Sequence, residues 1–567
     1  MLSASIKSIL PFSKETISAN SDIEERWWKD AVIYHIYPRS FQDSSNDGVG
    51  DLRGIADRLD YVQNLGVDAI WISPFVKSPM KDFGYDVSDY CAVDPIFGTM
   101  DDFEYLMAQA DKHGLHVLMD LVFSHTSDQH KWFKESQKNE EGNPYNDYYV
   151  WADPKEDGTP PTNWLSHFGG PAWSWDSKRG QYYLHNFLSC MPDLNVHNEA
   201  VQEELLNVVR FWLDKGVSGF RLDVIDYYCH DPRFFDNPPA YKKPKRFEPY
   251  LMQDHRYNRN HENAFPFLKR MRAVCDEYQQ KRGNSDIMMV AEISEAGTIE
   301  QSALYTAGDD LIHTSYCFDF LGHEFTPSHI KSTFEMYEMK APEGWPSWSF
   351  SNHDTERVLT RWSQVLKVDD EALKNRLAKL NNALLMSLSG TVYLYQGQEL
   401  GLENVDIPFD KIRDPYGKFQ YPENKGRDGC RTPILWNDNA NEGFGFTKSS
   451  EAWLPFGNEA QKKSVLVQDQ DDESILAFTK KMIQLRKATK SLSQNADLKF
   501  IHADDQILIF ERNTDSEKAL CFFNISKEKG KFEADAQSFE PLISQGLELK
   551  NGAFEYVAFG FGILVSK

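Results

Sequence analysis

The sequence predicts an α/β fold: a closed (β/α)8 TIM barrel with an inserted subdomain after strand 3 and a C-terminal antiparallel β domain. Three observations predict it. Short apolar runs alternate with amphipathic helical stretches, the pattern of βαβ units around a parallel sheet. The alternation breaks after the third run, from 124 to about 195, in a segment rich in Pro, Gly, Asp, Asn and Trp. From about Leu498 it gives way to short strands with no helices between them.

The elements follow in order. Residues 1–25 read as a loose N-terminal arm. The first run is AVIYHIYP from Ala31; helical periodicity over 52–65 leads to the second, AIWISPF from Ala69. A helix over 101–113 precedes HVLMDLVF from His116, and one over 201–215 precedes GFRLDVI from Gly219. A helix over 264–282 precedes MMVAEI from Met288; WSFSNHD from Trp348 and, after a helix over 370–389, TVYLYQG from Thr391 complete seven runs. An eighth at 312–318 makes a closed barrel a better fit than an open sheet. The barrel then occupies 26–125 and 196–490, with 126–195 as the inserted subdomain, since a loop that long with no long helix is usually functional. The strands LKFIHA, ILIFERN, KALCFFNIS and YVAFGFGILVSK assign 495–567 to a C-terminal β-sandwich.

Composition narrows the function. A chain of 567 residues is too long for one ordinary core. A formal charge of −25 with no basic stripe opposes binding to nucleic acid or to an anionic membrane surface. The substrate is therefore expected to be neutral or cationic. No stretch of about 18 apolar residues appears, so no transmembrane helix is expected, and the opening segment lacks the apolar run of a signal peptide. Seven cysteines, an odd number without CxxC spacing, read as reduced thiols in a cytoplasmic protein. Aromatic residues reach 13%; stacking on sugar rings is one use for them and core packing another.

A barrel of this kind carries its chemistry at the C-terminal ends of its strands. Polar residues stand there: Asp120 and His125 after strand 3, Arg221 and Asp223 at strand 4, Glu292 at strand 5, His353 and Asp354 after strand 7. One acidic strand end is ordinarily a helix cap or an ion pair. Four converging on one barrel mouth are poorly explained that way, because an unpaired buried charge is costly.

DLVFSH, GFRLDVI, AE and FSNHD, in this order, resemble the four signature regions of glycoside hydrolase family 13, the α-amylase superfamily, and MPDLN (191–195) resembles its fifth. WWKDAVIYHIYPRSF, DGVGDLRGI, GYDVSDY and GRDGCRTP resemble its α-glucosidase and oligo-1,6-glucosidase branch. The resemblance implies a retaining, exo-acting α-glucosidase acting on small oligosaccharides or disaccharides, with transglucosylation as a second outcome. It assigns Asp223 as nucleophile, Glu292 as acid/base and Asp354 as the third carboxylate. Arg221 is expected to keep Asp223 ionised. His125 and His353 would bind the glucose. Asp82 and Arg427 would pair at the pocket floor, Tyr85 would stack on the sugar, and Arg431 would hold its hydroxyls. Phe168 and Phe187 are candidate walls. The chain is expected to be a monomer or homodimer.

A second site is legible in DSSNDGVGD, where Asp43, Ser45, Asp47 and Asp51, with the Val49 carbonyl, recur at every second residue. Oxygen ligands in a tight Gly-containing loop are what Ca2+ requires, and the loop resembles the structural Ca2+ loop of the branch. A Mg2+ site or a solvated acidic turn are the alternatives. Linkage is divided: within the resemblance Val224 points to α-1,6 substrates, whereas HDPRFFDNPP and YPENKGRDGCRTP point to α-1,4, which is slightly favoured.

Overall fold

The computed structural model describes residues 26–566 except 242–247, 284–285, 294–298, 317, 458–460, 535 and 551. Eight strands close the barrel: β1 (Val32–Ile36), β2 (Ala69–Ile72), β3 (His116–Leu121), β4 (Gly219–Leu222), β5 (Met288–Glu292), β6 (Thr314–Tyr316), β7 (Pro346–Ser349) and β8 (Thr391–Tyr395). Each pairs in parallel with its neighbours in sequence, and the ring closes where Val32 of β1 lies opposite Val392 of β8.

Strands buried on both faces read as continuous apolar runs, and the period of two sorts them here. Ile33, Ala69, Trp71, Leu118, Met288, Val290, Tyr316 and Tyr393 fill the barrel interior. Val32, Tyr34, Ile36, Ile70 and Ile72 pack outward against the helices. The inward parity carries Leu118 to Asp120, Arg221 to Asp223 and Val290 to Glu292. Those carboxyls therefore emerge at the mouth for the same reason that the apolar residues below them fill the core. A side chain at Gly219 would place its Cβ 2.1 Å from the Met288 carbonyl oxygen, so β4 can start there against β5 only as glycine.

Local signals set the helices. Thr99 and Asp102 form a reciprocal capping box on Met100–Lys112, and Asn198 caps Glu199–Asp214. The helix expected over 52–65 is two, Leu52–Asp57 and Leu59–Leu65, divided at Arg58; left-handed Gly66 ends the second. The periodicity reading names no helix at Pro327–Lys340 or Ile475–Ala488, yet both form.

Within 126–195, Trp151–Ala152, Trp173–Asp176 and Gln181–Leu184 make a small antiparallel sheet over a core that includes Val150, Trp164, Trp173 and Leu184. At the C-terminal end are β9 (Asp497–Ala503), β10 (Ile507–Asn513), β11 (Lys518–Asn524), β12 (Gly530–Glu533), β13 (Phe539–Lys550) and β14 (Ala553–Ser566). The six strands are hydrogen-bonded into one connected sheet that folds over a core in which Phe522 on β11 meets Phe532 and Phe554. Long β14 pairs with β12 over 553–556 and with β11 over 561–565, and bulges interrupt its ladder with β13. One hairpin thus spans both ends of a bent sheet. No described helix is long and apolar enough to cross a membrane.

Candidate active site

Arg221, with no solvent exposure, organises the barrel mouth. Its Nη1 donates to Asp223 at 2.5 Å and to Asp120 at 2.8 Å; its Nη2 donates to Glu292 and, at 3.1 Å, to the Tyr316 hydroxyl. One planar fork therefore fixes three carboxyl groups from three neighbouring strands. The Asp223 carboxyl beside Glu292 also disfavours a second negative charge there.

Burial pushes Glu292 up to about 8 and Asp223 up to about 7, in both cases against the pull of Arg221. Burial likewise raises Asp120 to about 6. The expectation that Arg221 keeps the Asp223 pKa low is therefore half right: the guanidinium does favour the anion, but burial and the neighbouring Asp120 outweigh it. Both carboxyls are raised together, so near neutral pH the pair holds a shared proton.

A second ionic cluster lies beside the first. Asp354 accepts from Arg431 at 2.7 Å and Arg427 at 3.2 Å, and its other oxygen lies 3.1 Å from His353 Nε2. Burial works against its charge, but the cluster holds its carboxyl well below the usual range. Burial also keeps His353 neutral, pushing it well below its ordinary value, so the arginines carry that effect. Arg427 continues to Asp82 at 2.6 Å and to Asp414 at 2.8 Å. Tyr85 lies parallel to His353 with ring centres 5.4 Å apart, its hydroxyl 2.6 Å from His353 Nε2. The Tyr85 carbonyl faces His125 Nε2 at 3.1 Å, and burial pushes His125 down to about 4.

A cavity of about 310 Å³ joins these groups. Asp82, Tyr85, His125, Asp223, Glu292, Asp354 and Arg427 line it, as do both candidate walls, Phe168 and Phe187. Arg221, His353 and Arg431 stand behind the lining and hold it. The sequence reading assigns no role to Asp414, Glu248 or Tyr416. Asp414 caps the helix Pro415–Gln420, and Arg427 overcomes the effect of its burial, keeping it near 2. Tyr416 on that helix donates to Glu248 across the cavity. An Asp immediately before Pro marks a helix start, but no spacing links it to Arg427.

The loop from Asp43 to Asp51 is a hydrogen-bonded turn. Asp43 accepts from Asn46 N–H at 2.6 Å, Gly48 N–H at 2.9 Å, the Ser45 hydroxyl at 3.2 Å and the Thr447 hydroxyl. Asp51 accepts from the Ser44 and Ser45 N–H groups, the Ser44 hydroxyl and, as helix cap, Gly54 N–H. Asp47 accepts from Val49 N–H. Among the described residues no three His, Cys, Asp or Glu side chains group as metal ligands. With four donors on each of Asp43 and Asp51, the expected Ca2+ or Mg2+ set, Asp43, Ser45, Asp47, Val49 and Asp51, does not fit a divalent cation in this arrangement.

Residues 35–495 match the family model described as alpha amylase, catalytic domain. The chain belongs to the α-amylase family. A "Probable alpha-glucosidase" of Rhizobium meliloti (strain 1021) is 46% identical over 540 residues, covering 94% of this chain and 95% of the relative. An "Oligo-1,6-glucosidase" of Heyndrickxia coagulans is 35% identical over 552 residues, 91% of this chain and 95% of the relative. Among solved structures, the alpha-glucosyl transfer enzyme XgtA superposes with a TM-score of 0.89 at 42% identity, covering 96% of this chain and all of that one. Trehalulose synthase MutB from Pseudomonas mesoacidophila MX-45 gives 0.84 at 31%, covering 95% and 99%. This α-amylase family member is thus a glycoside hydrolase of the α-glucosidase branch.

Proposed function

We propose that this chain is a retaining, exo-acting α-glucosidase that releases glucose from the non-reducing end of short α-glucosides, α-1,4-linked such as maltose in preference, with transglucosylation as its second outcome. The observation that carries the reading is the Arg221 fork on Asp223 and Glu292. Two carboxyls gripped by one guanidinium favour the close spacing of retaining enzymes, about 5–5.5 Å, over the wider inverting one.

In the first step an Asp223 oxygen attacks the anomeric carbon and the bond to the leaving oxygen breaks. The Glu292 proton passes to that oxygen, leaving a β-glucosyl ester. In the second, Glu292 takes a proton from water, whose oxygen attacks the same carbon and frees Asp223. Two inversions give α-glucose. Asp354, His125 and His353 hold the ring hydroxyls, and the Asp354 anion stabilises the positive charge of the transition state. The buried Asp82–Arg427 pair closes the pocket floor, so the substrate enters by its end.

Transfer follows when a sugar hydroxyl replaces water, and the likeness to a glucosyl transfer enzyme supports that outcome. Val224 and the oligo-1,6-glucosidase relative favour an α-1,6 alternative. None of the six described cysteines is disulfide-bonded, which supports a reducing, cytoplasmic location. Incubation with maltose, isomaltose, sucrose and maltotetraose, with products resolved by chromatography, decides among these readings. Glucose released from maltose far faster than from isomaltose is the expected result. The reverse ranking establishes the α-1,6 alternative, new disaccharides from sucrose a dedicated transferase, and no turnover removes the proposal.

A further inference from the structure

Behind the cavity wall a line of buried amides runs from Asp193 to His255. Asp193 is 3% exposed and accepts from Asn186 twice, from the backbone N–H at 3.0 Å and from Nδ2. That fixes the Asn186 Oδ1 as an acceptor, which Asn258 Nδ2 meets at 2.8 Å. The Asn258 Oδ1 must then face the other way, toward Asn237 Nδ2 at 2.9 Å and His255 Nδ1 at 3.2 Å. Asn237 fixes the same orientation independently, because its own Oδ1 accepts from Tyr257 N–H at 3.1 Å. At the far side of the imidazole, Nε2 lies 2.7 Å from the Tyr250 carbonyl oxygen. Both His255 nitrogens therefore face oxygens that can only accept, and an imidazole donates from both only when it carries the extra proton.

We infer that His255 is a buried imidazolium, paired with the Asp193 carboxylate through Asn186 and Asn258, and that this pair is the positioning unit for the aromatic wall of the active-site cavity. Burial pushes Asp193 up to about 7, so a balancing cation is what an ionised carboxylate there requires.

Each end of the line carries one cavity residue. Asn186 precedes Phe187, and its carbonyl accepts from His167 N–H at 2.8 Å. His255 stacks on Tyr250 at 3.7 Å, and the Tyr250 hydroxyl bonds the Tyr227 hydroxyl. Phe187 and Tyr227 then meet in the cavity lining, ring centres 5.2 Å apart. The unit ties the inserted segment to the 226–260 segment and closes on itself at the wall.

Neutron diffraction from crystals at about pH 8, above the ordinary histidine value, is expected to show deuterium on both His255 nitrogens; one deuteron overturns the inference. The consequence for catalysis rests on the proposed α-glucosidase activity. Asp193→Asn and His255→Gln are each expected to lower kcat/KM for maltose about tenfold, mainly through KM, and the double variant to lose no more than either alone. Losses that multiply show two independent residues and overturn the paired unit; a loss that falls on the amount of folded enzyme, with KM unchanged, overturns the positioning role. Absence of maltose turnover in the unaltered protein removes the functional proposal and leaves the neutron result to stand or fall separately.

Discussion

At the residue scale, two carboxyl groups share one guanidinium, and their roles differ by where the last proton resides. Asp223→Asn is expected to lower kcat on maltose by at least about 10⁴-fold with unfolding unchanged, since it removes the attacking oxygen but keeps its shape. Glu292→Gln is expected to fail on maltose yet still form the glucosyl ester from 4-nitrophenyl α-glucoside, whose leaving group needs no proton. Near-normal maltose hydrolysis by either variant would reverse the assignment. The pH profile follows from the same pair. Activity requires Asp223 ionised and Glu292 protonated, so kcat/KM should fall as pH drops through about 7 and again as it rises past about 8. An activity plateau extending down to pH values near 5 would contradict that order. Asp223, Glu292 and Asp354 were legible because each ends or closely follows a strand within a contiguous motif. Asp414 and Tyr416 were not, since a loop whose path is set by tertiary contacts with Arg427 and Glu248 brings Tyr416 to the cavity and Asp414 behind Arg427.

At the element scale, the alternation of strand and helix was legible because parallel strands buried on both faces are unbroken apolar runs. β6 was the faintest, with three residues to carry the signal. In the turn from Asp43 to Asp51 the every-second-residue oxygens are arranged by the backbone to accept N–H groups. Chelation with EDTA is therefore expected to leave the melting temperature unchanged, and a rise on adding Ca2+ would show that the turn reorganises around a cation. Asp51→Ala is expected to destabilise the fold by about 1–2 kcal/mol in urea unfolding, through loss of the helix cap. Val224, directly after Asp223, occupies left-handed backbone at φ 34°, an unusual conformation for a β-branched residue. Such conformations persist where surrounding packing over-determines them, and they cluster at active sites.

At the scale of the whole molecule, the C-terminal sheet is bolted to the barrel by a buried arginine. Arg512, on β10, donates to the carbonyls of Ser387, Ser493 and Ala496, while Arg486 holds those of Met386, Leu388 and Gly390. Together they fix the turn between the helix Glu371–Ser387 and β8. Burial lowers Arg512 to about 9, so it is held charged at the expense of solvation. Arg512→Met leaves three buried carbonyls without that donor and is expected to destabilise the protein by about 3 kcal/mol, read from urea unfolding. A change below about 0.5 kcal/mol would show that the sheet is dispensable to the barrel. Closure between Val32 and Val392 also governs how the molecule comes into being. On the ribosome, at roughly 5–20 residues per second, β1 emerges tens of seconds before its partner β8. Asp223 and Glu292 exist throughout that interval on an unclosed sheet with bare edges. Nascent chains stalled before Thr391 should accordingly bind chaperones and lack activity, and the ability to cleave a glucoside should arrive with the last staves of the barrel.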